Sequence, residues 1–100
     1  MFHIDLDDND VVIVKGRLDA AQAPAAQSFL DKVQGQCVVD LRELEYVSSA
    51  GLGVLLRTHK RLMADGQGLK LVNVNSHVND IFTYSGFDKL FDIVPAASDG

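Results

Sequence analysis

At 100 residues, 47% of them apolar and 23% charged, the chain suits one domain with a core of useful size and is too short for two. Its net charge of −5 argues against a binder of duplex nucleic acid, which carries a basic face to displace counterions from phosphates. No apolar run approaches the ~18 residues of a membrane span and no basic-then-apolar leader opens the sequence, so a cytoplasmic protein with no membrane insertion is expected.

Residues 2–6 alternate apolar with polar, the period-2 pattern of a strand with one buried face. Four turn formers, Asp7, Asp8, Asn9 and Asp10, separate it from a β-branched run over 11–18, so the two pair as a hairpin. Gly16 falls inside the second strand and predicts a bulge or a close backbone approach. Asp19 is a candidate N-cap for a helix that admits Pro24 in its first turn, carries Ala25, Ala26, Phe29, Leu30 and Val33 as an apolar stripe, and stops at Gly35. A short apolar strand over 38–41 follows, central and parallel to its neighbour. Cys37 stands beside it as a small hydrophobe, and a single cysteine excludes an internal disulfide.

Next comes a strand-to-helix junction, Tyr46-Val47-Ser48-Ser49-Ala50-Gly51-Leu52-Gly53. The helix beyond it places Leu52, Leu55, Leu56, His59, Leu62 and Met63 on one stripe, with Arg57, Lys60 and Arg61 largely off it. A strand over 69–74, a shorter helix capped by Ser76 and ending near Gly86, and a strand over 90–94 stopped by Pro95 complete the order β-β-α-β-α-β-α-β. That order is an α/β domain.

The chemistry on offer is narrow. The acidic cluster Asp5, Asp7, Asp8 and Asp10 lacks the glycine and closing glutamate of a calcium loop. His3, His59 and His77 have no metal-ligand spacing and no second cysteine to join them, so no metal site is expected. Gly51-Leu52-Gly53 resembles a fragment of a phosphate cradle, but no Gly-Lys-Ser/Thr follows. A serine nucleophile would need a leading glycine that Val47-Ser48-Ser49-Ala50-Gly51 does not have. No catalytic residue and no cofactor is expected. What remains is Ser48 or Ser49, either as helix caps or as a site of modification. A phosphate there would face free N–H groups and the positive end of the helix dipole. Two glycines in a first helical turn each cost about 1 kcal/mol against alanine and therefore call for a close approach of some kind, here taken as access for a partner.

These residues resemble the STAS domain family, and within it the small stand-alone bacterial anti-sigma factor antagonists. The resemblance covers nearly the whole chain, so 1–100 is read as a single STAS domain with 95–100 as a frayed tail. It rests on Val14-Lys15-Gly16-Arg17-Leu18-Asp19, on Val38-Val39-Asp40-Leu41 leading into Ser48-Ser49-Ala50-Gly51-Leu52-Gly53, and on Phe82-Thr83-Tyr84-Ser85-Gly86-Phe87-Asp88-Lys89-Leu90-Phe91. The fold implied is a mixed, mostly parallel sheet with an N-terminal hairpin and helices packed against it. In the family the middle motif reads Asp-Ser-(Ser/Thr/Ala)-Gly-Leu-Gly, and the serine after the aspartate is phosphorylated. By position that acceptor is Ser49, with Ser48 as the alternative; Ser48 stands where many members have aspartate. The resemblance implies partner switching. The unphosphorylated protein binds an anti-sigma factor that is also a serine kinase, phosphorylation releases it, and a serine phosphatase restores binding. Gly16, Asp19, Ser48, Ala50, Gly51, Leu52, Gly53 and Arg57 would form the contact, on a monomer or weak dimer. The competing expectation is a constitutive STAS scaffold subunit of a transporter or signalling assembly.

Overall fold

The structure, a computed structural model, describes residues 1–96. β1 (His3–Leu6) and β2 (Val12–Leu18) make the expected antiparallel hairpin, with His3 opposite Lys15 and Leu6 opposite Val12. Its acidic turn closes on itself: Asp7 Oδ1 accepts hydrogen bonds from the N–H groups of Asn9 at 2.8 Å and Val11 at 3.0 Å, and Asp10 takes a left-handed φ of 62°. The carboxylate of Asp7 thus shapes a turn, as short polar side chains commonly do.

β2 then serves two neighbours in succession. Its first half, Val12 and Ile13, pairs in parallel with β3 (Cys37–Asp40), and its second half, from Gly16 to Leu18, pairs in parallel with β4 (Leu44–Val47). The register slips between Gly16 and Arg17. Gly16 has φ +85°, and a Cβ there would meet the Met1 carbonyl oxygen at 2.0 Å, so both the expected irregularity and the expected close approach occur at this one residue. β3 continues to β5 (Leu69–Val74) and β5 to β6 (Asp92–Pro95), all parallel, for a sheet ordered β1-β2-β3-β5-β6 with β4 beside β2.

β4 is an addition to the expected order. Leu-Glu-Tyr-Val buries its first and last residues, which breaks the period of two, and it starts only a few residues after β3. Nothing local marks it as a strand. What makes it one is the free edge of β2.

The helices connect the parallel strands. α1 (Ala23–Leu30) carries Pro24 in its first turn as expected, but its cap differs: Gln22 precedes it without a side-chain bond. Asp19 instead closes the turn before the helix, its Oδ1 accepting from Gln22 N–H at 3.1 Å. The helix also ends at Leu30, short of Gly35, so Val33 lies beyond it and Ala25 is exposed while Ala23, Ala26 and Leu30 are buried.

α2 (Ser49–Met63) buries Gly51, Leu52, Val54, Leu55, Thr58 and Leu62. The expected stripe is therefore rotated: Leu56 and His59 are half-buried and Met63 is 55% exposed. The core-facing line runs through a glycine and a threonine, small residues that an apolar pattern passes over. Thr58 is accommodated because its hydroxyl donates to the Val54 carbonyl at 2.9 Å.

α3 (Ser76–Ser85) is capped by Asn75, not Ser76. Asn75 Oδ1 accepts from Val78 N–H at 2.9 Å while its amide nitrogen donates to the carbonyls of Leu41, Arg42 and Leu44. An amide can cap a helix and pin a loop at once, whereas a serine hydroxyl has a single proton to give. Gly86 ends the helix at φ 80°, as expected. At the far end Pro95 is part of β6, opposite Val74, and Ala96 N–H donates to the Val74 carbonyl at 3.0 Å, so these two are held and not frayed. The remainder of the expected tail, 97–100, lies outside the described residues.

The core is one apolar cluster. Val12, Val14, Leu18, Val39, Leu69 and Leu71 from the sheet meet Leu30, Leu52, Leu55, Leu62 and Phe82 from the helices. Burial of these side chains, each contributing about 1.5–3 kcal/mol, holds the start of α2 against the ends of β2 and β4.

Candidate functional site

The junction is built from β4 into the first turn of α2. Ser48 N–H donates to the Leu18 carbonyl at 2.9 Å, extending the β2–β4 pairing by one residue, and Ser48 then turns to cap the helix. Its Oγ accepts from Gly51 N–H at 3.2 Å and its carbonyl accepts from Leu52 N–H at 2.8 Å. Ser48 is half-buried and structurally committed at each of these atoms. Ser49 is the first residue of the helix, is exposed, and its hydroxyl has no hydrogen-bond partner among the described residues. The two adjacent serines thus have separate tasks.

The two glycines separate as well. A Cβ on Gly51 would meet the Leu18 carbonyl oxygen at 2.6 Å and side-chain carbons of Leu18 and Val47 at 2.8 Å. Gly51 is therefore small so that α2 can seat on β2 and β4, which corrects the expectation that both glycines give a partner access. Gly53 is half-buried, and the nearest atom to a Cβ there is Nη1 of Arg57, at 3.2 Å. Arg57 Nε donates to Gln27 Oε1 at 3.0 Å, across to α1, while Gln27 Nε2 donates to Asp31 at 2.9 Å and to Thr58 Oγ1 at 3.3 Å.

Of the residues expected to meet a partner, Ser49 and Arg57 are exposed, and Asp19, Ser48, Ala50 and Gly53 are half-buried around them. Gly16, Gly51 and Leu52 are buried and serve the fold, so they leave the candidate surface. Gln27 and the Arg17–Tyr46 pair were missed. Arg17 stacks its guanidinium 4.6 Å from the Tyr46 ring on the strand pair that leads into the junction. Neither carries a spacing signal, because each depends on which strands and helices become neighbours.

The surface does not resemble a small-molecule site. One hollow of about 380 Å³ lies at the opposite end of α2, lined by Gln36, His59, Met63 and the turn Gly66-Gln67-Gly68. Another of about 430 Å³ lies between the hairpin and the end of α1, lined by Leu6, Phe29, Lys32 and Val33. Neither includes a junction residue. His59 is held in place, its Nδ1 accepting from Leu69 N–H at 2.9 Å and its ring edge-on to Phe91 at 5.3 Å. Cys37 is buried, and that burial pushes its thiol from 9.0 up to about 11, against a smaller opposing pull from Arg61. It is a packing residue with no thiolate to offer near neutral pH. Among the described residues no group of His, Cys, Asp and Glu is arranged to hold a metal ion, and no helix is long and apolar enough to cross a membrane. An exposed hydroxyl at a helix start, bordered by small residues and one arginine, is suited to contact with another macromolecule.

Comparison with known proteins agrees with the shape and the sequence. The family model described as "Mlab, STAS domain" matches residues 2–95. The protein BtrV of Bordetella bronchiseptica is 33% identical over 87 residues, covering 83% of this chain and 75% of that protein. The anti-sigma-B factor antagonist of Bacillus subtilis is 30% identical over 97 residues, covering 93% of this chain and 88% of the relative. The crystal structure of an anti-sigma factor antagonist from Mycobacterium paratuberculosis superposes with a TM-score of 0.79 at 27% identity, over 99% of this chain and 88% of that one. By sequence and by fold, the chain belongs to the STAS domain family.

Proposed function

We propose that this chain is an anti-sigma factor antagonist that acts in the cytoplasm by partner switching, with Ser49 as its phosphorylated residue. It is a substrate and ligand of other proteins and not itself an enzyme. The similarity to antagonists of about 30% identity supports the class of function. The observation that carries the switch is the division between the serines: Ser48 Oγ is occupied by Gly51 N–H, while the Ser49 hydroxyl is exposed.

The chemistry follows from that exposure. In a kinase site the Ser49 Oγ attacks the γ-phosphorus of ATP; the Oγ–P bond forms as the bond to ADP breaks, and the hydroxyl proton passes to a base of the kinase. The product gains about −1.5 to −2 charges. Ala50 and Gly53 flank Ser49 with little bulk, so a partner seated on them would enclose the phosphate, and desolvating a dianion there opposes the contact. A phosphatase that hydrolyses the ester restores the hydroxyl and the contact.

The test pairs the chain with a cognate serine kinase of the histidine-kinase ATPase type and ATP. One phosphate on Ser49 is expected. Ser49→Ala should retain kinase binding and Ser49→Asp should lose it, while Ser48→Ala should still be phosphorylated but lose about 1 kcal/mol of stability with its cap. Phosphate found only on another residue, or Ser49→Asp binding as well as the wild type, overturns the switch. In that case a constitutive scaffold is what remains.

A further inference from the structure

Ser49, Gly53 and Arg57 are spaced four residues apart and so lie in one line along α2. The arginine side chain runs back along that line toward the start of the helix, as long side chains on helices do. It places Nη1 3.2 Å from the position a Gly53 Cβ would occupy. Its Nε is fixed by Gln27 Oε1 at 3.0 Å, which orients the fork and leaves the Nη groups pointing away from that bond. Among the described residues Arg57 makes no ion pair with a carboxylate, and α2 contains no acidic residue that could supply one. An exposed guanidinium oriented by a neutral amide, over a missing side chain and with no acid paired to it, is available to a planar or tetrahedral oxyanion.

We infer that Arg57 is the intramolecular counter-ion of a phosphoryl group on Ser49, and that Gly53 is the notch through which the two meet. This rests on the reading of Ser49 as the phosphorylated residue. The Cβ positions of residues 49 and 53 are about 5–6 Å apart, a gap closed by the Oγ–P–O arm from one side and the guanidinium already over Gly53 from the other. Two other arginines are engaged elsewhere. Arg61 Nη2 donates to the Leu30 and Val33 carbonyls at 2.8 and 2.9 Å, and Arg17 lies over Tyr46. Gln27 is a positioning residue: it meets Arg57 and not the phosphate. The clamp gives the phosphorylated chain a defined surface, in which the group that repels the kinase is drawn down onto the helix and shielded from hydrolysis.

The experiment places phosphoserine at position 49 during synthesis, by suppression of an amber codon, so that no kinase is required and the clamp is judged separately from the kinase's choice of residue. The second ionisation of the phosphate is followed by phosphorus NMR against pH. A free phosphoserine titrates near about 6. In the phosphorylated wild type the midpoint should lie lower than in Arg57→Gln by at least about half a unit, because a facing cation favours the dianion. Gly53→Leu, which fills the notch, should give the Arg57→Gln value, and Gln27→Ala should fall between. Removal of the phosphate by a broad-specificity phosphatase should be several-fold faster in Arg57→Gln than in the wild type. Equal midpoints and equal rates in the wild type and Arg57→Gln, or a midpoint moved by Arg17→Gln and not by Arg57→Gln, overturn the inference. Failure of the kinase to modify Ser49 leaves this titration intact and counts against the switch alone.

Discussion

Gly51 and Gly53 stand two residues apart in the same helical turn and are glycine for different reasons. An alanine methyl at 51 would press on backbone, the Leu18 carbonyl oxygen at 2.6 Å, and on two core side chains. An alanine methyl at 53 would meet only the far end of Arg57, a flexible side chain. Gly51→Ala should therefore cost about 1–3 kcal/mol through overpacking. Gly53→Ala should gain up to about 1 kcal/mol, because a helix interior favours alanine. Urea denaturation of the two variants, compared at equal m-values, measures the contrast. The motif showed that both positions needed an explanation, but one explanation served for two. The missing distinction lies in Leu18 and Arg57, one brought in by strand pairing and the other by a rotamer, and neither is visible in the spacing. Ser48 and Ser49 are a similar case: adjacent hydroxyls are equivalent on paper until the chain turns and commits the first as the cap.

Among the elements, α1 and α2 are joined through Gln27 and through Arg61. Arg61 crosses from α2 and donates to the carbonyl of Leu30, the last residue of α1, and to that of Val33 just beyond it, while its Nε is buried without a partner among the described residues. Helix ends leave carbonyls short of partners, and Arg61 adds to the backbone N–H groups of Asp31, Lys32 and Val33 that meet those of α1. Arg61→Met keeps the apolar stem and removes both bonds, so it should cost about 1–3 kcal/mol. Amide exchange should rise for residues 30–34 and not for the sheet, and the peptide-level exchange pattern checks this. Helices and strands with strong periodicity were legible, α2 and β5 above all. β4 was not, because its four residues become a strand only when the second half of β2 offers them an edge. The helix caps were also misassigned, Asn75 acting in place of Ser76 and a turn at Asp19 in place of a cap, since each depends on a tertiary partner for its side chain.

At the scale of the whole molecule, the cysteine couples stability to alkaline pH. Its folded value of about 11 lies above the ordinary 9.0, so between those values the unfolded chain gives up a proton that the folded chain keeps. Stability should be complete below about 9 and fall as pH rises toward 11. Comparing urea denaturation at pH 8 and pH 10.5 for the wild type and Cys37→Ala isolates the contribution of this group. The variant should show the smaller loss. Strand, helix and sheet class were legible at this scale, because composition and periodicity carry them. Strand order was not, since a sheet in which β2 splits between two parallel partners is set by long-range packing. The division also orients the molecule: β2 starts at the acidic turn and ends at Leu18, so that turn and the junction lie at opposite ends of a seven-residue strand, about 23 Å apart.

Leu18 gives its carbonyl to Ser48 N–H, and Ser48 gives its own carbonyl and hydroxyl to the first turn of α2. The residue immediately before the exposed hydroxyl is therefore immobilised from the sheet on one side and from the helix on the other. A partner docking here, as proposed, would meet a backbone already ordered and would order no loop to use it. Its affinity would be spared that entropic cost, and a measured association rate should show no slow ordering step.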